Sequence, residues 1–401
     1  MEGSDMIYLD NAATTRTAPE VVEAMLPFFS ENYGNASSIY GLGSTSKKAL
    51  NQARRTLADY LGAKQEEIYF TAGGSEADNW ALKAAAEAYR DKGKHIITTR
   101  IEHHAVLHTC EYLEKQGYEV TYVGVDENGI VRLEELEAAI RPDTILISVM
   151  YANNEVGTLQ PIGEIGRIAH ERGILFHTDA VQAFGQLPIS VDELHIDMLS
   201  ASAHKVNGPK GVGCLYIRSG LKLRSFIHGG AQERSRRAGT ENIPGVVGFA
   251  KAIERAVRIM PEKIQKETEL RDYLIDQIFE KIPYCRLNGD RSRRLPGNVN
   301  FSFQFVEGES LLIMLDMKGI CGSSGSACTS GALDPSHVLL AMGLSHELAH
   351  GSLRLTLSEE NTEEEMDTVV EAIAEIVGKL RAMSPLYEDF MKCQKGDGHV
   401  Q

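Results

Sequence analysis

Between Ile68 and Leu199, short apolar runs of strand length alternate with stretches whose apolar residues recur at helical spacing. No other property of the sequence constrains the fold as much. Strands are predicted at 68–71, 95–99, 119–123, 144–150, 174–177 and 195–199, with helices through 80–89, 105–116, 133–140 and 162–172 between them. Upstream, an extended start at 7–9 precedes an amphipathic run at 19–29 and a long helix at 44–61. Such alternation builds a mainly parallel sheet between helices. Ligands then bind at the carboxyl ends of the strands, so the residues ending each strand are the first candidates for chemistry.

Those strand ends are chemically distinctive. Ile68–Thr71 leads into Ala72-Gly73-Gly74-Ser75-Glu76, where free backbone N–H groups and a helix N-terminus suit a phosphate. Ser75 is also a natural cap for that helix. The 144–150 run ends in Tyr151-Ala152-Asn153-Asn154-Glu155-Val156-Gly157, which brings amides to the same edge. Asp179 follows the 174–177 run, and a carboxylate in an apolar setting needs a cationic partner such as a protonated pyridine nitrogen. The run from His195 feeds Ser200-Ala201-Ser202-Ala203-His204-Lys205, then turns at Asn207-Gly208-Pro209. One amine therefore stands at a strand end, where a desolvated lysine forms Schiff bases with aldehydes, pyridoxal phosphate being the usual one.

Composition narrows the class. The chain has 401 residues, enough for two domains, and a net charge of -15, which argues against general nucleic-acid binding despite Arg234-Arg236-Arg237 and Arg291-Arg293-Arg294. No stretch offers roughly 18 unbroken apolar residues, and the first residues lack a basic and apolar leader, so a cytoplasmic protein without a membrane span is expected. The 6 cysteines form no CxxC pair and are expected as reduced thiols. Cys214 lies among apolar neighbours and should be inert, and Cys321 is given a structural role. Cys328, within Gly322-Ser323-Ser324-Gly325-Ser326-Ala327-Cys328-Thr329-Ser330-Gly331, sits among small residues expected to be mobile, the setting of a reactive thiol.

Two metal-like patterns lose to duller readings. His103-His104, with His108 nearby, lacks a completing ligand, so a metal site is not expected there, and His104 is left as solvated or structural. His346-Glu347-Leu348-Ala349-His350 matches HExxH, but Gly343 and Gly351 bracket it and a strand pattern begins at once, leaving at most about two helical turns. No metal is expected. In Ser352-Leu353-Arg354-Leu355-Thr356-Leu357, alternation puts Arg354 opposite the leucines, either as a surface arginine or as a carboxylate-binding fork.

Taken together, LDNAATT, YGNASS, TAGGSEADN, EHHAV, NNEVGT, HTDAVQ, SASAHKVNGPKG, RRAGTEN, SSGSACTSG and AHGSLRLTL run in order through nearly the whole chain. This series resembles the group I cysteine desulfurases of the IscS/NifS type, within the class V aminotransferase superfamily. The resemblance implies an α/β enzyme of the aspartate-aminotransferase-like fold type I, with pyridoxal 5'-phosphate as cofactor. It implies a large domain over 16–258 with a mainly parallel sheet of about seven strands, a smaller α+β domain from 1–15 and 259–384, and a polar, frayed tail at 385–401. The helix predicted at 361–380 would bury Met366, Val369, Val370, Ile373, Ile376 and Val377 and leave its acidic face to solvent.

Residue by residue, the resemblance implies Lys205 as the Schiff-base lysine, Asp179 as partner of the pyridine nitrogen and His103 as the stacked ring and a proton carrier for the substrate thiol. Gln182 would reach the ring hydroxyl, and Asn154 would lie near ring and substrate. Gly74, Ser75, Ser202 and His204 would gather the phosphate, with Gly74-Ser75 standing where relatives often carry a threonine. Thr240 would reach the phosphate in a neighbouring subunit, implying a homodimer, and Arg354 with Asn35 would hold the substrate carboxylate. The implied reaction converts L-cysteine to L-alanine and leaves a persulfide on Cys328 for an iron-sulfur scaffold protein or another sulfur acceptor. A related lyase or aminotransferase acting on selenocysteine or cysteine sulfinate would keep Lys205 and Asp179 without needing the thiol; a scaffold subunit without turnover would not need Lys205 at all.

Overall fold

A computed structural model describes residues 6–324 and 335–396. The chain opens with a short strand β1 (Ile7–Tyr8), then α1 (Pro19–Met25) and α2 (Pro27–Ser30), because Pro27 breaks the run expected at 19–29 as one helix. α3 (Gly41–Leu61) starts three residues earlier than its apolar pattern and ends on Gly62, whose φ of 65° suits a glycine. The alternating region follows as β2 (Ile68–Thr71), α4 (Gly74–Tyr89), β3 (His95–Thr99), α5 (His104–Lys115) and β4 (Glu119–Val123). It continues through α6 (Leu133–Ala138), β5 (Thr144–Ser148), α7 (Ile162–Glu171), β6 (Leu175–Asp179), β7 (Met198–Ser202) and β8 (Gly213–Ile217).

These strands form a 7-stranded sheet in the order β2-β8-β7-β6-β5-β3-β4, parallel except where β8 runs against β2 and β7. Every residue of β5, β6, β7 and β8 is buried, as helices on both faces require. One correction concerns register in the chain: the strand expected at 195–199 starts at Met198. His195 takes a left-handed backbone (φ 52°), and the Ile196 N–H turns back to the Val191 carbonyl, so the chain is still rounding a corner there. The displacement carries the strand to Ser202 and sets Lys205 one short turn beyond it.

The remaining elements are α8 (Gln232–Ser235), a short turn whose Glu233 and Arg234 take left-handed rather than helical angles, then α9 (Ile243–Lys281), β9 (Cys285–Leu287), β10 (Asn298–Phe303) and α10 (Gly308–Asp316). After them come β11 (Ile320–Cys321), α11 (His337–Ala341), α12 (His346–His350), β12 (Ser352–Thr356), α13 (Glu363–Ala382) and α14 (Pro385–Gly396). A second, smaller sheet of order β12-β10-β9 carries its own apolar core, in which Leu353 and Leu355 of β12 meet Val369, Ile373 and Ile376 of α13. All six apolar positions expected on the acidic helix are buried in it. The 39-residue α9 runs between this core and that of the large sheet, and β1 pairs in parallel with β11.

The tail is a second correction. Residues 385–396 form a helix, because Tyr387 and Phe390 find aromatic partners in Tyr284 and Phe305, with Tyr284–Phe390 centroids 5.1 Å apart. The basic clusters also disperse on folding: Arg294 is buried on backbone carbonyls, Arg291 pairs with Asp276, and Arg237 pairs with Glu76. Among the described residues no helix is long and apolar enough to cross a membrane.

Candidate active site

The site forms where β6 and β7 end side by side, with Asp179 opposite Ser200 in the parallel register. Lys205, in the short 3-10 turn after β7, directs its Nζ to the carbonyls of Ala12 and Ala13, at 2.5 and 2.7 Å. The Gln182 amide donates to the same Ala12 carbonyl at 3.0 Å. Lys205 and Gln182 also line a cavity of about 50 Å³ shared with Asn11, Asn298 and Thr356. The N-terminal strand that leads into Ala12 thus closes the floor of the site, a contact between residues almost two hundred positions apart that no local pattern announces.

Asp179 is 6% exposed, and burial raises its carboxyl above the ordinary range. The fields of His103 and Lys205 and the Val181 N–H, which donates to Asp179 Oδ1 at 2.9 Å, pull it back toward ionisation. His103 caps α5, its Nδ1 accepting the Ala105 N–H at 3.1 Å. In the neutral ring the proton therefore sits on Nε2. His104 turns away to stack with His108 (5.0 Å between centroids) and to meet His337 (4.8 Å), which makes it structural rather than solvated.

The phosphate turn has the geometry of an anion site. No side chain caps α4, so its first N–H groups stay available, and Ser75 lies inside the first turn rather than at the cap position expected for it. A Cβ on Gly74 would stand 2.6 Å from Val181 Cγ2 and 3.8 Å from Ser202 Cβ, so Gly74 and Ser202 are brought together. His204, next to Lys205, bonds the Thr14 hydroxyl through Nδ1 at 3.1 Å, and burial lowers its imidazole to about 4. Thr240 is exposed and lines a separate hollow with Thr71 and Ala72, just upstream of the turn.

Arg354 is a third correction to the simpler expectation. It is 4% exposed, not a surface residue, because β12 is covered on both faces. Its guanidinium spans Asp10 Oδ1 (2.9 Å) and the Asn154 carbonyl (3.0 Å), while its buried Nε has no hydrogen-bond partner among the described residues. Asn35 lies on an exposed loop, where its carboxamide accepts the Ser37 N–H, and no hydrogen bond joins it to Arg354 among the described residues. Cys328 lies outside the described residues. The described positions on either side of it are tied to this site: Ser323 exchanges backbone hydrogen bonds with Arg354, and the Ser336 hydroxyl donates to Glu155. Cys214 is buried, and burial drives its thiol far above the ordinary range, as an inert cysteine should be.

Several residues of the site gave no sequence signal: Asp10, Glu102, Glu155 and Asp78. Glu155 is 4% exposed and is pushed up to about 7 by burial, against the pull of Ser336 and Arg354. Glu102 is fully buried and raised to about 8 for the same reason, while Thr99 and the Met150 N–H bond its Oε1. The only hint in the sequence is that acids sit among strand-end motifs, where apolar burial follows from the sheet. α12 spans only five residues before Gly351, too short to set His346 and His350 as a ligand pair on a stable helix face.

An amine at the end of one parallel strand, a buried carboxylate at the end of its neighbour and an anion-binding helix start define a pyridoxal-phosphate enzyme of fold type I. Residues 7–369 match the family described as Aminotransferase class-V. The cysteine desulfurase IscS of Clostridium botulinum (strain Hall) is 58% identical over 388 residues, covering 96% of this chain and 98% of the relative. A solved NifS-like protein superposes with a TM-score of 0.88 at 42% identity, over 93% of this chain and 99% of the other. A structure described as SspA in complex with cysteine gives a TM-score of 0.79 at 38% identity, over 89% and 100%. The chain belongs to the class V aminotransferase family and, within it, to the cysteine desulfurases of the IscS/NifS type.

Proposed function

We propose that the chain takes sulfur from L-cysteine, releases L-alanine and holds the sulfur as a persulfide on Cys328. The observation that carries this is the convergence of Lys205, Asp179 and the α4 start at the ends of adjacent strands. A relative solved in complex with cysteine supports the substrate. When bound, pyridoxal phosphate supplies an aldehyde for amines and a ring that stores the electrons of the substrate Cα–H bond. The α4 N–H groups, with Ser75 and Ser202, would hold its phosphate, Gln182 its ring hydroxyl, and Asp179 its ring nitrogen.

Lys205 Nζ, drawn from the Ala12 and Ala13 carbonyls, takes the Cα proton once substrate is seated. His103 presents its Nε2 proton to the substrate thiol, because Nδ1 is engaged at the helix cap. Arg354, paired with Asp10 and held on the Asn154 carbonyl, is the candidate for the substrate carboxylate, and Asn35 is the second candidate there. The Cys328 thiolate attacks the substrate sulfur: the S–S bond forms as the Cβ–S bond breaks, its electron pair stays on Cβ, Cβ takes a proton to become the methyl of alanine, and Cys328 keeps the sulfur as a persulfide.

The division into 16–258, with 1–15 and 259–384 as a second domain, is supported by separate apolar cores at the large and the small sheet and by Pro261 inside α9 near the boundary, while a further cluster packs Ile101 and Val156 against Val338 and Leu339 across it. Exposed Val22, Leu26, Phe29, Tyr33, Ile39 and Tyr40 form a run of apolar surface suited to a second copy of this chain, whose Thr240 would complete the phosphate site. Free Cys110, Cys214, Cys285, Cys321 and Cys393 suit a reducing cytoplasm, and transfer to an iron-sulfur scaffold protein is the proposed fate of the sulfur. The test is alanine release from L-cysteine by wild type, Lys205→Ala and Cys328→Ser. Loss of alanine in both variants is expected, and full alanine release by Cys328→Ser would favour a lyase without the thiol.

A further inference from the structure

Residues just before and just after the stretch that carries Cys328 meet consecutive residues in the loop after β5. Before it, Ser323 exchanges backbone hydrogen bonds with Arg354, at 3.0 and 2.6 Å, and the Arg354 guanidinium rests on the Asn154 carbonyl. After it, the Ser336 hydroxyl donates to the carboxyl of Glu155, and both residues are buried. The loop itself is tightly held. Asn153 Oδ1 accepts the N–H groups of Glu155 (2.9 Å) and Val156 (3.0 Å), its Nδ2 donates to the Ile101 carbonyl at 2.9 Å, and the Glu155 carbonyl accepts the Asn300 amide at 3.1 Å. Beside Ser336, His337 Nε2 donates to the Glu102 carbonyl at 3.0 Å, and Val338 shares an apolar cluster with Ile101 and Val156. The start of α11 is thus moored through Ser336, His337 and Val338.

The helix start alone does not call for Glu155. The Ser336 oxygen already caps α11 by accepting the Leu339 N–H at 3.2 Å, and burying a carboxyl beside it costs free energy that a neutral acceptor would not. What the acid adds is a fixed point for Ser336 at the edge where the site forms. We infer that Glu155 is a positioning residue for sulfur transfer: acting through Ser336, it fixes where the chain following Cys328 joins the fold, next to the carbonyl that holds Arg354. The inference rests on the reading of Cys328 as the sulfur carrier. A thiolate must meet the substrate sulfur at contact distance and in line with the bond that breaks, and a misplacement of about 1 Å costs such a step up to about a hundredfold.

The test uses full-length holoenzyme of wild type, Glu155→Ala, Ser336→Ala, the double variant and Glu155→Gln. Each is mixed with L-cysteine and quenched at intervals, and mass spectrometry follows added sulfur on the Cys328 peptide. L-alanine binding, read from the absorbance of the cofactor, reports on the pocket without the thiol. Sulfur should reach Cys328 about tenfold more slowly in either alanine variant and no more slowly in the double, since all three lack the same contact. Glu155→Gln keeps an acceptor and should return to within about threefold of wild type, while L-alanine affinity stays within about threefold throughout. A wild-type transfer rate in either alanine variant overturns the inference, as do losses that multiply in the double variant or an L-alanine affinity that falls as far as the rate. If Glu155→Ala does not fold, Ser336→Ala against Ser336→Thr, which keeps the hydroxyl, gives the same decision. Wild type that releases alanine with no sulfur on Cys328 overturns the reading of Cys328 and the inference with it, a result distinct from every variant comparison.

Discussion

At the level of single residues, the site depends on a few buried charges whose cost the fold must offset. Lys205→Ala removes the amine that reaches the Ala12 and Ala13 carbonyls, and turnover is expected to fall by at least about a thousandfold. Residual turnover within tenfold of wild type would contradict the assignment. Glu155 makes a pH prediction with an unusual sign. Its carboxyl is raised from 4.5 to about 7, so the folded state binds the proton more tightly than the unfolded chain. Its stabilising contribution is complete below pH about 4.5 and is lost as pH rises through about 7, by roughly 3 kcal/mol. Denaturant titrations across that window should show the loss in wild type and a flatter profile in Glu155→Gln. Lys205 and Asp179 were readable as candidates because each stands in a motif at or just past a strand end, whereas Arg354 lies in mid-strand and its pattern left two roles open. Glu155 and Asp10 were not readable, because their role comes from contacts with Ser336 and Arg354, each more than 90 positions distant in the chain.

Among the elements, the phosphate turn and its neighbours are set by close backbone approach and one buried ion pair. A Cβ on Gly213 in β8 would stand 2.6 Å from the Ala201 carbonyl and 2.7 Å from Gly73 Cα, so Gly213→Ala must push the turn before α4. Calorimetry with pyridoxal phosphate should show weakened binding in that variant; unchanged affinity would mean that the turn tolerates the shift. Beside it, Glu233, Arg234 and Ser235 all take positive φ, at 45°, 57° and 63°. The Glu233 carboxylate holds this strained stretch by accepting both Arg54 nitrogens at 2.7 Å and the Phe70 N–H at 2.9 Å. Arg54→Ala leaves that carboxylate buried and unpaired, which should cost about 3–5 kcal/mol in denaturant titrations. The alternation from 68 to 199 was readable from apolar period alone. The displaced β7 start and the helical tail were not, since a left-handed His195 and an aromatic contact with Tyr284 and Phe305 decide them.

Over the whole molecule, two cores joined by α9 and by the N-terminal strand place the amine between a large sheet and a small one. Trp80, fully buried against Tyr69 and Phe226, anchors α4 in the larger assembly, and Trp80→Ala should lower stability by about 3–5 kcal/mol in thermal unfolding. The central claim is that Lys205 and Cys328 act on one substrate. Peptide mapping by mass spectrometry of two samples, one treated with L-cysteine alone and one with borohydride in the presence of pyridoxal phosphate, tests it directly. An added sulfur is expected on the peptide of Cys328 in the first and the reduced cofactor on the peptide of Lys205 in the second. Cofactor trapped on another lysine, or Cys328 without added sulfur while alanine accumulates, would contradict it.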